Sequence, residues 1–562
     1  MEYRGYDSAG VATIFMDRIL VKKGVGRVFE VNNSVNLDSL PGNVGIGHTR
    51  WATHGGVTEA NAHPHLSSSN GIAIVHNGII DNYLDLKREL LSVGYTFKSE
   101  TDSEVIANLL QRNYDLTHDF KKSMIATLSQ LKGKYAFIAI SKDGDLAAAR
   151  FQEPLMIGVG KQSYFVSSDI VGFVGNTDEV VYLDNGEFAM LSSGGISVSD
   201  FEGNPTNHQV TKISKEFADA DKRDYVHYTL KEIYEQPTTI LRAGGTTNLE
   251  LDRLVALIMR SKNVYITGSG TSFNAALIGK YIFSKYARIK IEPIISSETQ
   301  FSPIYFDSNS ILIALSQSGE SADVLETANI AKENGAEVIS IVNVMTSSLA
   351  HISSISIGLN CGPEIGVAAT KSFTSQLAIL YKLTDKLCGV MDVPDFNKVS
   401  SQISKLLSDS NIQKIARELK DVSDIYVLGN GVHHYVAMEA SLKLKELSYI
   451  HAESFPAGEL KHGPLALLDS NAYVIVINPN DSTYASMSAA THEVKARGAK
   501  VIGISNIPSE VYDYWITLPD VDEAFYPLIE VVPLQLLAYY SAIERNANPD
   551  YPRNLAKSVT VK

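Results

Sequence analysis

The segment VYITGSGTSFNAALIGKYIF, residues 264–283, contains an apolar run, a turn of Gly, Ser and Thr, and a helix-forming run. Residues 311–343 repeat this order as ILIALSQSGESADVLETANIAKENGAEVISIVN and end in a further apolar run. Short apolar runs bounded by glycine-rich turns are typical of buried strands. Strands that alternate with helices in this way form a parallel, doubly wound sheet. The sequence therefore predicts an α/β domain in this part of the chain.

The same pattern occurs again later in the chain, in the same order. NVYITGSG at 263–270 resembles DIYVLGNG at 424–431, and NGAEVISIVN at 334–343 resembles RGAKVIGISN at 497–506. Matches that stay in register over this distance indicate an internal duplication. We therefore predict two copies of one α/β domain.

The chain divides by composition into four predicted segments. Residues 1–215 are rich in strand-like runs and have few helices, which indicates an α+β domain. The charged segment 216–240 is predicted to be a linker that runs into a helix over Val226–Glu235, before Pro237. The two α/β copies follow at 241–400 and 401–562, and the last dozen residues are predicted to form an exposed tail.

Composition limits the classes of protein and partner. The 562 residues carry a formal net charge of -14 with a pI near 5.5, which argues against nucleic acid or an anionic membrane as partner. Cys361 and Cys388 are the only cysteines, so no disulfide framework is expected. The start lacks the pattern of a signal peptide. A cytoplasmic protein is predicted.

Two turns in the first copy carry small hydroxyl residues where helices are predicted to begin. Helix N-termini expose free N–H groups that bind anions, so the two turns together predict a phosphate site. The alternative is simple N-capping by Ser and Thr. Neither turn has a P-loop lysine or the Rossmann glycine spacing, which disfavours a nucleotide. The residues are Thr271, Ser272, Ser316, Gln317, Ser318 and Ser321.

The second copy lacks these hydroxyls but carries a group of charged residues at 439–464. Lys443 and Glu446 are three residues apart, so on a helix they share one face. His462 follows in a predicted loop, and the three side chains together could supply acid–base chemistry near neutral pH. The alternative is a solvated amphipathic helix followed by a polar loop.

Several long motifs resemble the family of glutamine–fructose-6-phosphate aminotransferases (isomerizing), the glucosamine-6-phosphate synthases. They include EYRGYDSAG, GHTRWATHG, VHNGIIDN, GSGTSFN, SQSGES, ASLKLKELSYIHAESFPAGELKHGPLAL and PRNLAKSVTV. The resemblance implies an incomplete N-terminal-nucleophile glutaminase domain of α+β class, followed by two α/β sugar-isomerase (SIS) domains. It implies synthesis of glucosamine 6-phosphate and glutamate from fructose 6-phosphate and glutamine, the first step of hexosamine biosynthesis. It implies no cofactor and no metal, and a homodimer.

The resemblance also implies roles for residues of the two SIS copies. Lys557 would form a Schiff base with the open ketose, and Glu446 would carry the proton between C1 and C2 with support from Lys443. His462 would open the sugar ring. The sugar and its phosphate would be held by Thr271, Ser272, Ser316, Gln317, Ser318, Ser321, Val367 and Ala556.

For the N-terminal domain the resemblance implies a glutamine site. Arg50, Thr53 and His54 would grip the substrate, and Asp102 would pair with its α-ammonium group. Asn77 and Gly78 would form the oxyanion hole, and Trp51 would gate the ammonia passage. The crowding of five histidines leaves a metal site as the alternative, although no cysteine or carboxylate stands at ligand spacing among them. These are His48, His54, His63, His65 and His76.

The family's nucleophile is an N-terminal cysteine, and this sequence begins MEYRGYDSAG. Cys361 and Cys388 lie in or after the first copy, so neither can replace it. We therefore expect the chain as written to lack glutamine hydrolysis and a first strand of that domain. Two alternatives stay open: a non-catalytic SIS-type sugar-phosphate sensor, and an enzyme acting on another phosphosugar. Ala369, where the family usually has serine, bears on the second alternative.

Overall fold

The structure is a computed structural model that describes residues 5–51, 55–169, 172–173, 175–192, 194–212, 222, 224–245, 248–302, 304–389 and 395–559. The chain forms two compact units. Unit 1 is Met1–Asp219 with Ser558–Lys562, and unit 2 is Ala220–Lys557. Among the helices described, none combines the length and the apolar character that crossing a membrane requires.

In the residues that the structure describes, unit 1 is built from antiparallel strands and four α-helices. Its strands are β1 Ser8–Phe15, β2 Arg18–Val25, β3 Gly45–Arg50, β4 His65–Leu66, β5 Ile72–Ile80, β6 Gly133–Ser141, β7 Leu146–Phe151, β8 Met156–Val159, β9 Tyr164–Ser167, β10 Glu179–Tyr182, β11 Glu187–Ser192, β12 Gly195–Asp200 and β13 Thr211–Lys212. Its helices are α1 Val28–Val35, α2 Tyr83–Ser92, α3 Glu104–Thr117 and α4 Phe120–Leu128. The sheet orders are β2-β1-β3, β13-β10-β8-β9 and β12-β11-β7-β6-β5-β4.

Strand β5 is central to unit 1 because both of its faces are buried. Ile72 and Ile74 pack into the core that includes helices α2, α3 and α4, while Ala73 and Val75 pack into a second core with β1 and β3. Successive side chains of a strand point to opposite faces, so one apolar run supplies both cores. The predicted α+β class of this region is confirmed.

Unit 2 contains two parallel sheets with helices between and around them. Its strands are β14 Asn263–Gly268, β15 Glu292–Ile295, β16 Ser310–Ser316, β17 Glu337–Val342, β18 Ile355–Gly358, β19 Asp424–Gly429, β20 His451–Pro456, β21 Tyr473–Ile477, β22 Lys500–Ser505 and β23 Tyr514–Thr517. Its helices are α5 Tyr228–Gly244, α6 Asn248–Arg260, α7 Thr271–Ile282, α8 Ala322–Glu333, α9 Ser348–Ile352, α10 Lys371–Cys388, α11 Phe396–Leu406, α12 Asn411–Glu418, α13 Val432–Lys443, α14 Tyr484–Lys495 and α15 Tyr526–Glu544. Short 3-10 segments lie at Leu37–Ser39 in unit 1 and at Ser296–Phe301, Ala457–His462, Pro464–Leu467 and Glu523–Phe525 in unit 2, which also has π-helical turns at Phe283–Ala287 and Leu444–Ser448.

The two sheets have the same topology, which confirms the predicted doubly wound fold of both copies. Their orders are β15-β14-β16-β17-β18 and β20-β19-β21-β22-β23, with every pairing parallel. In the first sheet the order of the strands switches direction between β14 and β16, and in the second sheet it switches between β19 and β21. Ligands of α/β folds bind at such a switch point. Helices α7, α10, α13 and α15 contribute to one continuous apolar core, so the two copies share it.

Helix α5 continues to Gly244, so the predicted helix end at Glu235, before Pro237, is wrong. Proline has no N–H, which leaves the carbonyl of Ile233 without its helical donor. The side-chain Nε2 of Gln236 donates to that carbonyl at 3.0 Å and satisfies it. The helix also packs on α10 and α11. Of the predicted linker, residues 216–221 and 223 lie outside the described residues.

Candidate active site

The two turns predicted to bind phosphate lie side by side at the carboxyl edge of the first parallel sheet. Strands β14 and β16 pair directly, and each runs through its turn into helix α7 or α8. Ser316 Oγ accepts a hydrogen bond from the N–H of Gly319 at 2.9 Å. Ser318 Oγ accepts one from the N–H of Glu320 at 3.1 Å. The half-buried residues of this turn are Gln317, Ser318 and Ser321. Two helix N-termini meeting at one edge can bind a dianion.

Both predicted hydroxyls of the other turn already have protein partners. Thr271 Oγ1 donates to Glu439 Oε1 at 3.0 Å, which connects α7 to helix α13 of the second copy. Ser272 Oγ accepts from Gln376 Nε2 at 2.9 Å. A hydroxyl oxygen can both donate and accept, so each keeps capacity for a ligand. Contacts with α10 and α13 thus fix the turn that leads from β14 into α7.

Lys443 and Glu446 form an ion pair at the end of α13, as their spacing predicts. Lys443 is the last α-helical residue, and Glu446 lies in the π-helical turn Leu444–Ser448. The Lys443 side chain is only 1% exposed, whereas that of Glu446 is 22% exposed. Burial acts to lower the pKa of Lys443, but Glu446 and Glu439 outweigh it and raise that pKa. The amine therefore stays charged beside the more accessible carboxylate.

The two turns predicted to bind phosphate, residues 268–272 and 316–321, are called the cradle below. Glu439 is a buried carboxyl group that joins the first of these turns to the ion pair of Lys443 and Glu446. Besides Thr271, Asn274 Nδ2 donates to it at 2.7 Å, and Lys443 Nζ lies 3.5 Å from its Oε1. Burial is the main cause that raises the pKa of Glu439 to about 7. Glu439 is absent from the predicted site, although its spacing of four from Lys443 places the two on one helix face.

Lys557 is buried, so the expectation of an exposed tail is wrong for this residue. Its side chain is 4% exposed, and Nζ donates to Glu364 Oε2 at 2.6 Å and to the Gly366 carbonyl at 2.8 Å. Burial raises the pKa of Glu364, but Lys557 outweighs it and lowers that pKa to about 2. The charge of Glu364 also acts on Lys443. Glu364, likewise absent from the prediction, therefore links the two lysines electrostatically.

The tail is held in place by contacts before Lys557. Asp550 accepts hydrogen bonds from the N–H groups of Tyr228 and Thr229, at 3.0 and 2.8 Å, and so caps α5. The Asp550 carbonyl accepts from the N–H of Val367 at 3.2 Å. The guanidinium of Arg553 lies 4.2 Å from the ring centroid of Tyr449. These contacts fix the segment of the tail that leads to Lys557.

The remaining predicted sugar-site residues have different environments. Val367 is buried beside the tail, and Ala556 is half-buried directly before Lys557. His462 is exposed at the end of the 3-10 segment Ala457–His462. No hydrogen bond or ion pair of the described residues joins His462 to Glu446 or Lys557. The hydrogen bonds and ion pairs of the described residues therefore connect Thr271, Lys443 and Glu446, and none of them joins His462 to this set.

Unit 1 contains a cavity of about 380 Å³ at the ends of β3 and β5. Arg50, Trp51, Asn77, Gly78 and Asp102 line it. Asn77 Oδ1 lies 2.9 Å from His48 Nε2, and Asp102 Oδ2 accepts from the N–H of Ile80 at 2.8 Å. Gly78 has φ +108, and a Cβ there would lie 2.0 Å from the carbonyl oxygen of Lys134, so glycine is required. Thr53 and His54 lie outside the described residues.

Of the histidines beside this cavity, His63, His65 and His76 are buried, His48 is half-buried, and all four are neutral. Burial lowers the pKa of each, and for His48 the value falls to about 4. His65 and His76 bond to the hydroxyls of Thr101 and Ser103 at 3.1 and 2.8 Å. Within the described ranges, the side chains close enough to share a metal ion are those of Asp184, Glu187 and His208, and none of these lines the cavity. With the histidines neutral, the charged side chains of the lining are those of Arg50 and Asp102.

Two family models match separate parts of the chain. Residues 48–174 match the family model described as a glutamine amidotransferase domain, and residues 257–384 and 418–545 match the SIS domain. A solved C-terminal domain of glucosamine-fructose-6-phosphate aminotransferase from Francisella tularensis is 34% identical with a TM-score of 0.54. It covers 59% of this chain and 100% of its own.

Curated relatives match the whole chain. The glutamine–fructose-6-phosphate aminotransferase (isomerizing) of Pyrococcus horikoshii is 42% identical, and that of Thermococcus kodakarensis is 41% identical. Each alignment covers 100% of this chain and 96% of the relative. Similarity of this extent, together with two SIS copies that follow an amidotransferase domain, shows the family. The chain belongs to the glutamine–fructose-6-phosphate aminotransferases (isomerizing).

Proposed function

We propose that unit 2 of this chain makes glucosamine 6-phosphate from fructose 6-phosphate and ammonia, which is the sugar half of the conversion of fructose 6-phosphate and glutamine into glucosamine 6-phosphate and glutamate. The observation that carries the proposal is a continuous series of contacts from Thr271 through Glu439 to Lys443 and Glu446. It supports a site that holds the phosphate end and the reacting end of one sugar together. In this proposal residues 241–400 bind the phosphate, and residues 401–562 supply the reactive groups.

Lys557 is the proposed covalent residue. Its amine adds to the C2 carbonyl of the open ketose, and water leaves as the imine forms. The product carries the nitrogen of ammonia at C2, so ammonia must displace the lysine nitrogen. The contact of Nζ with Glu364 and the Gly366 carbonyl supports this role, because it fixes the amine in a water-poor site.

Glu446 is the proposed group that moves a proton from C1 to C2. Conversion of a ketose imine into an aldose needs a base beside these carbons, and a carboxylate suits this work. Lys443, paired with Glu446, keeps that carboxylate charged and oriented. The cradle residues Ser316 and Ser318 bind the phosphate, and Val367 and Ala556 contact the sugar.

We propose that unit 1 binds glutamine in its cavity. Arg50 and Asp102 bind the two charged groups of the amino acid, with Thr53 and His54 as further contacts. Asn77 and Gly78 provide the donors for the oxyanion, and Trp51 gates the ammonia passage.

We further propose a cytosolic homodimer in which His462 opens the sugar ring at the site of a second subunit. The support is that His462 is exposed and makes no hydrogen bond or ion pair with the described residues of its own chain. A monomer with full ring-opening activity, measured by light scattering and by turnover of the cyclic sugar, would refute this arrangement.

Glu446→Gln tests the sugar chemistry. We expect isomerisation of fructose 6-phosphate and ammonia-dependent synthesis of glucosamine 6-phosphate to fall about 100-fold or more, because the base is lost. Calorimetric binding of the sugar phosphate should not change. Glu453→Gln is the control, because Glu453 is exposed on β20. Parental turnover in Glu446→Gln would refute the role, and a parent chain that binds without turnover would favour a sensor.

A further inference from the structure

Two buried carboxyl groups, those of Glu364 and Glu232, fix the loop 364–366 that contacts Lys557. Glu364 belongs to this loop and bonds the lysine directly. Glu232, from helix α5, accepts hydrogen bonds from the N–H groups of Ile365 and Gly366. The carbonyl of Gly366 in turn accepts from Lys557 Nζ at 2.8 Å. Glu232 therefore fixes the same peptide segment that presents both acceptors of the lysine.

The two carboxyl groups have unequal sets of partners. Glu364 accepts from the N–H groups of Thr370 and Ser372, each at 3.0 Å, from the Ser372 hydroxyl at 2.8 Å and from Lys557. Glu232 Oε2 is buried and, within the described residues, has no hydrogen-bond partner. Several donors favour an ionised carboxylate, whereas a buried oxygen without donors favours the neutral acid.

The balance of charge gives the same assignment. Lys371 Nζ bonds Glu235 Oε2 at 2.6 Å, and Lys557 bonds Glu364 at the same distance, so neither lysine bonds Glu232, which acts on Lys371 through its charge alone. Burial, then the charge of Glu364, raises the pKa of Glu232 to about 8, against the opposing effect of Lys557 and Lys371. Glu232 is therefore neutral near pH 7.

We propose that Glu232 is a positioning residue that acts as a neutral acid, holding the loop 364–366 so that Glu364 is the single counter-ion of the Lys557 nitrogen. This inference rests on the proposed function of Lys557. In the condensation, the ammonium and the ketone give a protonated imine and one water molecule. The nitrogen carries one positive charge before and after, so Glu364 compensates both states without a change of its own protonation.

The first test compares three variants by reductive trapping with fructose 6-phosphate and cyanoborohydride, read by mass spectrometry of the Lys557 peptide. Glu232→Gln keeps an acceptor for both N–H groups, so we expect an adduct yield like that of the parent. Glu232→Ala removes the acceptor, and the yield should fall about tenfold or more. Glu453→Gln is the exposed control. Equal yields in Glu232→Ala and the parent, or equal losses in Glu232→Ala and Glu232→Gln, would overturn the proposal.

The second test needs no turnover. A carboxyl group whose pKa is raised on folding contributes stability that is present below its unfolded value of about 4.5 and lost as pH rises through about 8. Glu232→Gln removes this dependence, so its melting temperature relative to the parent should rise from pH 5 to pH 9. A constant difference would overturn the neutral-acid assignment. Absence of any Lys557 adduct in the parent would instead refute the proposed function, and the melting data would still decide the state of Glu232.

Discussion

A buried triad of charges occupies the second copy where the first copy has neutral groups. His433 is the second residue of α13, as Ser272 is of α7. Its Nδ1 lies 2.9 Å from Glu530 Oε1, and its Nε2 lies 2.7 Å from Asp481 Oδ2. In the first copy the corresponding contact joins Ser272 to Gln376. We predict that this triad is a major source of stability in unit 2.

The expected effect follows from the charge on His433. Burial lowers its pKa, but Glu530 and Asp481 outweigh burial and raise it to about 10. The group therefore contributes stability that is fully present below its unfolded pKa, about 6.5, and is lost as pH rises through about 10. His433→Gln leaves two buried carboxylates without a cation, which costs roughly 3–5 kcal/mol. In a unit of this size the melting temperature should fall by about 5–15 °C.

Thermal unfolding of the parent and His433→Gln, followed by circular dichroism from pH 6 to pH 10.5, measures this effect. The difference should be largest near pH 6 and shrink as the pH approaches 10.5. His492→Gln is the matched control, because His492 is exposed on α14 and its loss should have little effect. A variant that melts within about 2 °C of the parent at pH 6, or a difference that does not depend on pH, would refute the reasoning.

Three further predictions concern the two reaction sites. Glu439→Ala should weaken both fructose 6-phosphate binding, by calorimetry, and ammonia-dependent turnover, because the carboxyl group bonds the cradle and Lys443; unchanged binding would contradict the link. Arg553→Ala should lower the yield of trapped Lys557 adduct about two- to fivefold, the effect of one cation–π contact with Tyr449; a parental yield would contradict this. Glutamate release from glutamine by the 562-residue polypeptide should stay at background, because unit 1 contains no cysteine, and release above background would contradict it.

The parallel sheets could be predicted because their signals are local. Each glycine-rich turn lies between a strand and a helix, and the repeat of this order identifies the duplication. The prediction that the helix ends at Glu235, before Pro237, is wrong because the side chain of Gln236 donates to the Ile233 carbonyl in place of the missing proline N–H. Such a replacement depends on the rotamer of one side chain and has no signal in the sequence.

The site could be predicted only where its residues are close in sequence. Lys443 and Glu446 form the expected pair because helix geometry brings them together. Glu364 and Lys557 are 193 residues apart, and Glu232 comes from a third segment, so only the folded chain shows their contacts. The polar composition of the tail indicated solvent exposure, whereas the Glu364 carboxylate holds its lysine in the interior.

The triad also explains why two copies of one fold carry different parts of the site. A helix N-terminus that faces a buried space favours an anion. In the first copy Thr271 and Ser272 stand at this place, and the proposed function assigns them to the substrate phosphate. In the second copy His433 stands there and bonds the Asp481 carboxylate, which supplies an anion from within the chain. The start of α13 therefore carries its own charges, and its other end carries Lys443 and Glu446.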